Sequence, residues 1–409
     1  MKLYEDLLWR GLIKDVAGED LEAKLNGEPL TFYWGTDPTA DSLHIGHYSS
    51  LVTAKRLMKA GHKPILLCGG ATGRIGDPRP TAEREILDYE VIEKNIIGIR
   101  NQIDKLFEGK AELVDNYDWT KEYTFLEFLR DIGKYINVNY MINKDIISRR
   151  LETGITYAEF SYTLLQGYDF LHLYQTKNCI MQVEGSDQWG NITTGIELIK
   201  KKLGKEAYAF TMPLILDANG NKFGKSEGNA LWLDKNKTSP YTIYQYLINS
   251  DDSKVLEYLK VFTFLKKEEI EEIMKSQEEK PELRIAQKAL AYEVVKDIHG
   301  EEEAKRAIAI SEALFTEEFN NLTSDEIKEI FKGHKITNIE STNLLDLIIE
   351  VKAASSKREA REFINNGAIK INGQKITDLD YTITDKDFID KTYIIIKRGK
   401  KNYYVGKKN

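Results

Sequence analysis

The chain has 409 residues, 42% of them hydrophobic and 30% charged, the profile of an ordinary soluble globular protein too long for one compact core, so two or three domains are expected. No apolar run approaches the roughly 20 residues that span a bilayer. The opening segment MKLYEDLLWRGLIKDV carries acids where a secretory signal would be apolar, and Cys68 and Cys179 are too few for a disulfide framework, so a cytoplasmic setting is expected. The formal charge of −7 hides an asymmetry: residues 341–409 hold 14 Lys or Arg against 9 Asp or Glu, a net of +5, leaving −12 on the rest. A basic tail on an acidic body suits contact with a polyanion.

In chain order, Leu30–Gly35 reads as a buried strand, residues 45–60 as an amphipathic helix with Ile45, Tyr48, Leu51 and Val52 at spacings of three and four, and Pro64–Gly69 as a second strand. Strand, helix, strand over about 40 residues is a βαβ unit with parallel strands and a right-handed crossover. A glycine-rich turn, GGATGRIGDPRP, precedes a helical stretch from Glu83 to Phe107, and a further helical segment runs from Thr124 to Gln175. Cys179–Gly185 reads as a strand, a helix follows from Asp187 to Gly204, and Phe210–Leu216 is a last strand before the loop KFGKSEGN. Residues 240–330 are helical throughout, Gly333–Asn343 is polar and linker-like, and a small mixed domain closes the chain.

The expected fold is therefore α/β: a Rossmann-like open parallel sheet with a helical insertion, then an all-α domain and a small α+β domain. The expected limits are 1–235 for the nucleotide-binding domain (insertion about 117–175), 236–330 for the helical domain, 331–343 for the linker and 344–409 for the C-terminal domain.

Two motifs carry chemistry. His44-Ile-Gly-His47 opens the first crossover helix, so two imidazoles share one face of a helix N-terminus, where free N–H groups and the dipole favour phosphate, and Gly46 permits a ribose or base to come close. Alone, such a pair is more often a capping or surface feature, and a metal site would need a third ligand. Lys222-Phe-Gly-Lys225-Ser226 places two ammoniums and a hydroxyl in a loop after a strand, which suits a leaving pyrophosphate; alone, it would be a solvated loop. The two together, in this order, are the paired signature of class I aminoacyl-tRNA synthetases. The segments YWGTDPTADSLHIGH, GGATGRIGDP, FSYTLLQGYDFLHLY, EGSDQWGNIT and KFGKSEGN narrow the resemblance to the bacterial-type tyrosyl-tRNA synthetase family, over nearly the whole chain from Trp9 onward.

That resemblance implies roles. Tyr33 and Asp169 match the pair that binds the substrate phenol; Asp77, Tyr162 and Gln166 match positions that hold its ammonium; Gln188 matches a contact near its carboxylate. Asp37, Gly46, Asp187 and Lys225 match ATP-binding positions, and His44, His47, Thr39, Lys222, Lys225 and Ser226 match those serving catalysis. Tyr162, Gln166 and Asp169 can share one helical face, which their apolar neighbours Phe160 and Leu164 place toward the interior; a core aromatic remains an alternative for Tyr33 and a helix N-cap for Asp187. The chain departs from the family pattern at Trp34, where many relatives have a smaller residue, and after Asp77-Pro78, where Arg79 and Arg84 stand in a shortened loop.

In the tail, Ser356-x-x-Glu359 reads as a capping box, Ala360, Phe363 and Ile364 as an apolar face, and Asn372-Gly373 as a hairpin turn between Ile369 and Ile376. Lys357, Arg358 and Arg361 lie on the outer side. The segment resembles an RNA-binding module named after a small-subunit ribosomal protein. The resemblance implies activation of L-tyrosine by ATP with Mg2+, transfer to tRNA(Tyr), and a homodimer, with no tightly bound cofactor, no dedicated metal site and no membrane. The alternatives are a catalytically inactive RNA-binding scaffold and a synthetase for another aromatic amino acid.

Overall fold

The computed structural model describes residues 1–78, 87–151, 153–226, 229–399 and 402–409, and their side chains except those of Ile146, Lys225, Ser226 and Asn229. The chain divides into two compact units, Met1–Glu301 and Glu302–Asn409.

The first unit is built on strands β1 (Val16–Ala17), β2 (Thr31–Thr36), β3 (Lys63–Cys68), β4 (Glu112–Asp115), β5 (Cys179–Gly185) and β6 (Tyr208–Met212), in the order β1-β6-β5-β2-β3-β4. The strands β2 to β6 pair parallel with their neighbours, and β1 lies antiparallel on the β6 edge. Helices Ile45–Lys59 and Trp189–Leu203 join β2 to β3 and β5 to β6. From β2 the chain moves outward through β3 to β4, then returns through the insertion to β5 on the other side of β2. The winding thus reverses between β2 and β5, the place where open α/β sheets bind ligands beyond their carboxyl ends. Phe32, Tyr33 and Trp34 are all buried, as expected of a central strand covered on both faces.

Several elements differ from the sequence reading. The strand expected at Phe210–Leu216 begins at Tyr208 and stops at Met212, because Pro213 offers no N–H to continue a ladder. The short strands β1 and β4 carry too few residues to show alternation. The insertion is not one helical run: Phe125–Asp131, Val138–Ile142, Asp145–Leu151 and Tyr157–Lys177 are separate helices, with Thr124, Asn137 and Thr156 as side-chain caps for three of them. The loop that follows β6 contains a two-residue ribbon, β7 (Lys225–Ser226) and β8 (Asn229–Ala230).

The helical segment beyond residue 240 is tied to the crossover helix that begins at His44. Arg56 and Arg10 both donate to carbonyls that end the Val255–Phe262 helix, among them Lys260 O and Thr263 O. Burial pushes the Arg56 guanidinium down to about 9. Lys55 Nζ lies 2.6 Å from Asp297, whose other oxygen accepts from Tyr48 Oη at 2.9 Å.

In the second unit, β9 (Ile336–Ile339), β10 (Ile369–Ile371), β11 (Gln374–Lys375), β12 (Tyr393–Arg398) and β13 (Asn402–Lys408) form a sheet in the order β11-β10-β12-β13-β9. Strand β9 lies inside the segment read as a linker, pairing parallel with β13; its polar residues Thr337 and Asn338 mask the signal. The expected hairpin turn is present, with φ of 47° at Asn372 and 92° at Gly373. Ser356 caps its helix by accepting from Glu359 N, but the Glu359 carboxylate returns to Ser355, so the box is half formed. Ala360 and Ile364 face the core, while Lys357, Arg358 and Arg361 are exposed, with Lys357 paired to Asp346 at 2.7 Å.

Replacing Asp297 by alanine leaves a buried ammonium and a buried hydroxyl without an acceptor. Asp297→Ala should destabilise the first unit by about 3–5 kcal/mol, read as a lowered urea midpoint.

Candidate active site

At the β2/β5 switch point a continuous run of hydrogen bonds links the segments that follow three strands to one helix. Asp169, on the Tyr157–Lys177 helix and only 2% exposed, accepts from Asn116 Nδ2 and from Trp119 Nε1, each at 2.9 Å. Asn116 follows β4 and also donates to Thr72 Oγ1 at 2.9 Å; Thr72 follows β3 and donates to Asp37 at 2.7 Å; Asp37 follows β2 and accepts from Tyr162 Oη at 2.9 Å. Glycines make this crowding possible: a Cβ at Gly69 would sit 2.2 Å from Asp37 Oδ1, and one at Gly70 equally close to Asp115 Oδ1.

The pocket holds polar atoms that the protein leaves unsatisfied. Tyr33, 1% exposed and packed on Phe170 at 5.3 Å, has a hydroxyl with no hydrogen-bond partner, and Gln166 Oε1 likewise has none. Buried orphans of this kind are costly unless a polar ligand completes them. Burial pushes the Asp169 carboxyl up to about 7 against the donors Asn116 and Trp119, with Asp37 and Asp115 adding like charge. Burial likewise raises Tyr33 and Glu184 well above their ordinary values, and Asp115 is raised for the same reason.

Beside this pocket, Asp77 accepts from Gln188 Nε2 at 3.0 Å and from Asn191 Nδ2 at 3.1 Å. His44 caps the crossover helix, its Nδ1 accepting from Gly46 N at 3.1 Å, and its ring stacks on His47 with centroids 3.9 Å apart. A Cβ at Gly46 would lie 2.9 Å from the His44 ring, so the bare Cα makes room for that imidazole. The Lys222–Ser226 loop is fastened to the same helix end. Ile45 N donates to Leu231 O and Leu231 N to Gly224 O, while Phe223 stacks in an aromatic cluster with Tyr258 and Phe262. Gly224 has a φ of 86° and a Cβ there would strike Ile45 at 2.0 Å, so only glycine fits. Two signature motifs that begin 178 positions apart, at His44 and Lys222, thus meet at one helix N-terminus.

Known proteins resemble the chain over nearly its whole length. The family model described as "tRNA synthetases class I (W and Y)" matches residues 25–316, and that of the "Tyrosine--tRNA ligase SYY-like C-terminal domain" matches 326–405. The first model pools two amino-acid specificities; the curated relatives separate them. The tyrosine–tRNA ligase of Staphylococcus carnosus is 52% identical over 99% of both chains, and that of Macrococcus caseolyticus is 50% identical over 98% of both. The chain belongs to the tyrosine–tRNA ligase family. A solved structure of the C-terminally truncated mitochondrial tyrosyl-tRNA synthetase of Aspergillus nidulans matches with a TM-score of 0.69 and 35% identity, covering 76% of this chain and 93% of that one.

Of the positions singled out in the sequence, Asp37, Tyr162 and Asp169 are joined by the hydrogen-bond run, with Tyr33 and Gln166 beside it as orphans, and Asp77 meets Gln188. The polar stripe of Tyr162 and Asp169 is buried, as its apolar neighbours imply. Thr39 and Lys222 are exposed, the former with its N–H turned back to Asp37 O. Asp187 is exposed within a 3₁₀ turn and does not cap the following helix, whose N-cap is Gln188. The side chains of Lys225 and Ser226, and all of Arg79 and Arg84, lie outside the described residues. Trp34 is buried and donates to Ser50 Oγ at 3.0 Å, so its indole packs against the crossover helix. The sequence reading missed Thr72, Asn116, Trp119, Gln182 and Glu184. Asn116 and Trp119 follow a strand too short to recognise, which removed the signal that they stand at a strand's carboxyl end.

Asp169 yields a signed pH dependence. Its folded carboxyl sits near 7 against an ordinary 3.8, so the folded state holds the proton over that window and the unfolded state does not. Its contribution to stability is therefore full below the ordinary value and is lost as pH rises to about 7. In urea titrations, Asp169→Asn should gain on the parent progressively from about pH 4 to 7 and run parallel above it.

Proposed function

We propose that the chain activates L-tyrosine with ATP, giving tyrosyl-adenylate and pyrophosphate, and then transfers the tyrosyl group to the 3′ end of tRNA(Tyr). The observation that carries this reading is the Tyr33/Asp169 pair at the bottom of the switch-point pocket, a buried hydroxyl without a partner beside a buried carboxyl. A phenol O–H gives the Tyr33 hydroxyl a partner and adds a donor to Asp169; phenylalanine leaves the Tyr33 hydroxyl without one. The ammonium suits Asp77, Tyr162 and the free acceptor of Gln166, with Gln188 near the carboxylate.

The tyrosine carboxylate itself attacks the α-phosphorus of ATP, so no side chain need act as nucleophile or general base. Catalysis is positioning plus charge stabilisation that strengthens in the transition state. His44 and His47 at the helix N-terminus, with Thr39, hold phosphate and ribose, and Asp37, Gly46 and Asp187 border the nucleotide. Lys222, Lys225 and Ser226 neutralise the departing pyrophosphate. Magnesium enters as the Mg–ATP substrate.

Residues 1–235 carry this chemistry in our reading, 236–330 support it, and 344–409 bind RNA through the face of Lys357, Arg358 and Arg361. A homodimer is supported by the exposed apolar side chains of the insertion, among them Phe125, Leu126, Val138 and Tyr157. No helix among the described residues is long and apolar enough to cross a membrane, and we place the protein in the cytoplasm.

ATP–pyrophosphate exchange, run separately with tyrosine, phenylalanine and tryptophan, should proceed with tyrosine alone. Exchange with tryptophan would overturn the pocket assignment, and no exchange in folded protein would leave an RNA-binding scaffold. In the same assay Lys225→Ala should cut the exchange rate at least tenfold, on the order of one lost charge-assisted contact, while tyrosine affinity by fluorescence titration stays unchanged.

A further inference from the structure

Strands β2 and β5 are neighbours, yet their ladder ends at Tyr33 and Gln182, although β2 continues to Thr36 and β5 to Gly185. On their outer sides the same ends stay paired, Thr36 with Cys68 and Gly185 with Met212. The sheet is thus split along a single seam, and that seam is the switch point. Across the split, Gly35 N–H donates to a side chain instead of a strand: Glu184 Oε1 accepts it at 2.6 Å. Glu184 is 4% exposed; its carboxyl is also hydrogen-bonded to the Gln182 side chain on β5, and the titratable groups around it are Tyr33 on β2, Asp37 after β2 and Asp187 after β5.

We propose that Glu184 is a positioning residue for the activation step: its carboxyl braces Gly35 and sets how far β2 and β5 stand apart at the mouth of the pocket. Gly35 lies midway between Tyr33, two positions before it on β2, and Asp37, two positions after it in the loop that follows β2. Its placement therefore governs both the depth at which the amino acid sits and the loop that leads to the nucleotide. Burial, first, and the like charges of Asp187 and Asp37 raise the carboxyl well above the usual carboxylate range, against the hydrogen bonds from Gly35 and Gln182 that lower it. Glutamine carries an acceptor oxygen at the same reach and is the conservative replacement, whereas aspartate falls one methylene short.

This inference rests on the activation reading above. The test is pyrophosphate exchange on the full chain and on Glu184→Ala, Glu184→Asp and Glu184→Gln, with melting temperature recorded alongside. Removing the acceptor from a buried N–H is expected to raise the KM for tyrosine and for ATP about tenfold in the alanine and aspartate variants, with kcat changing less. The glutamine variant should return both KM values to within about twofold of the parent. Unchanged KM values in the aspartate variant, or a glutamine variant as impaired as aspartate, would overturn the brace; a fall in melting temperature alone would reduce Glu184 to a packing role and do the same. A parent protein that fails to exchange with tyrosine would instead remove the activation reading.

Discussion

A carboxyl group buried at the floor of a pocket has to be satisfied from within the protein, and the first unit is arranged around that demand. Asp169 draws donors from Asn116 and Trp119, and Asn116 in turn binds the loop after β3 through Ala71 N and Thr72. Through Thr72 the demand reaches Asp37 and, beyond it, Tyr162 on the helix that carries Asp169 itself. The ring of contacts closes on one helix, so no loop around the pocket can shift without breaking a bond in a low-dielectric setting where such bonds are strong. Side chains held in this way need little reorganisation when substrate arrives.

Much of this was legible in the sequence where the chain repeats a physical pattern. The βαβ unit was readable because apolar runs alternate with a helix whose spacing is three and four, and because Gly61 stops it. The hairpin at Asn372-Gly373 was readable because only a few residues adopt two successive positive φ angles. The roles at the pocket came from resemblance, since a lone Tyr33 or Asp169 has no signature of its own. What stayed hidden were contacts between distant segments. Nothing near Glu184 announces that its partner is Gly35, 149 positions earlier, and nothing in Asn116 announces Asp169. Strand β9 was masked because two of its four residues are polar, a composition suited equally to a loop.

The glycines show where local reading and tertiary structure part. A glycine-rich turn after a strand suggests room for a ligand, but at Gly69 and Gly70 the space is taken by the carboxylates of Asp37 and Asp115. The turn is bare so that the protein can bring its own charges together. At Gly224 the reason is different again: the positive φ and the closeness of Ile45 both forbid a side chain, and the loop is thereby seated on the end of the crossover helix.

The crossover helix runs 15 residues from Ile45 to Lys59, a rod of about 22 Å. Its far end is clamped by Lys55 and Arg56 to the helices beyond residue 240, and its near end presents His44 and His47. A rod amplifies angular error: a tilt of about 3° at the clamp moves the imidazoles by about 1 Å, enough for an oriented reaction to lose a hundredfold in rate. The tolerance for mutation in the helical segment is therefore set by optics more than by stability, since a repacking too mild to melt the fold can still put the histidines out of focus.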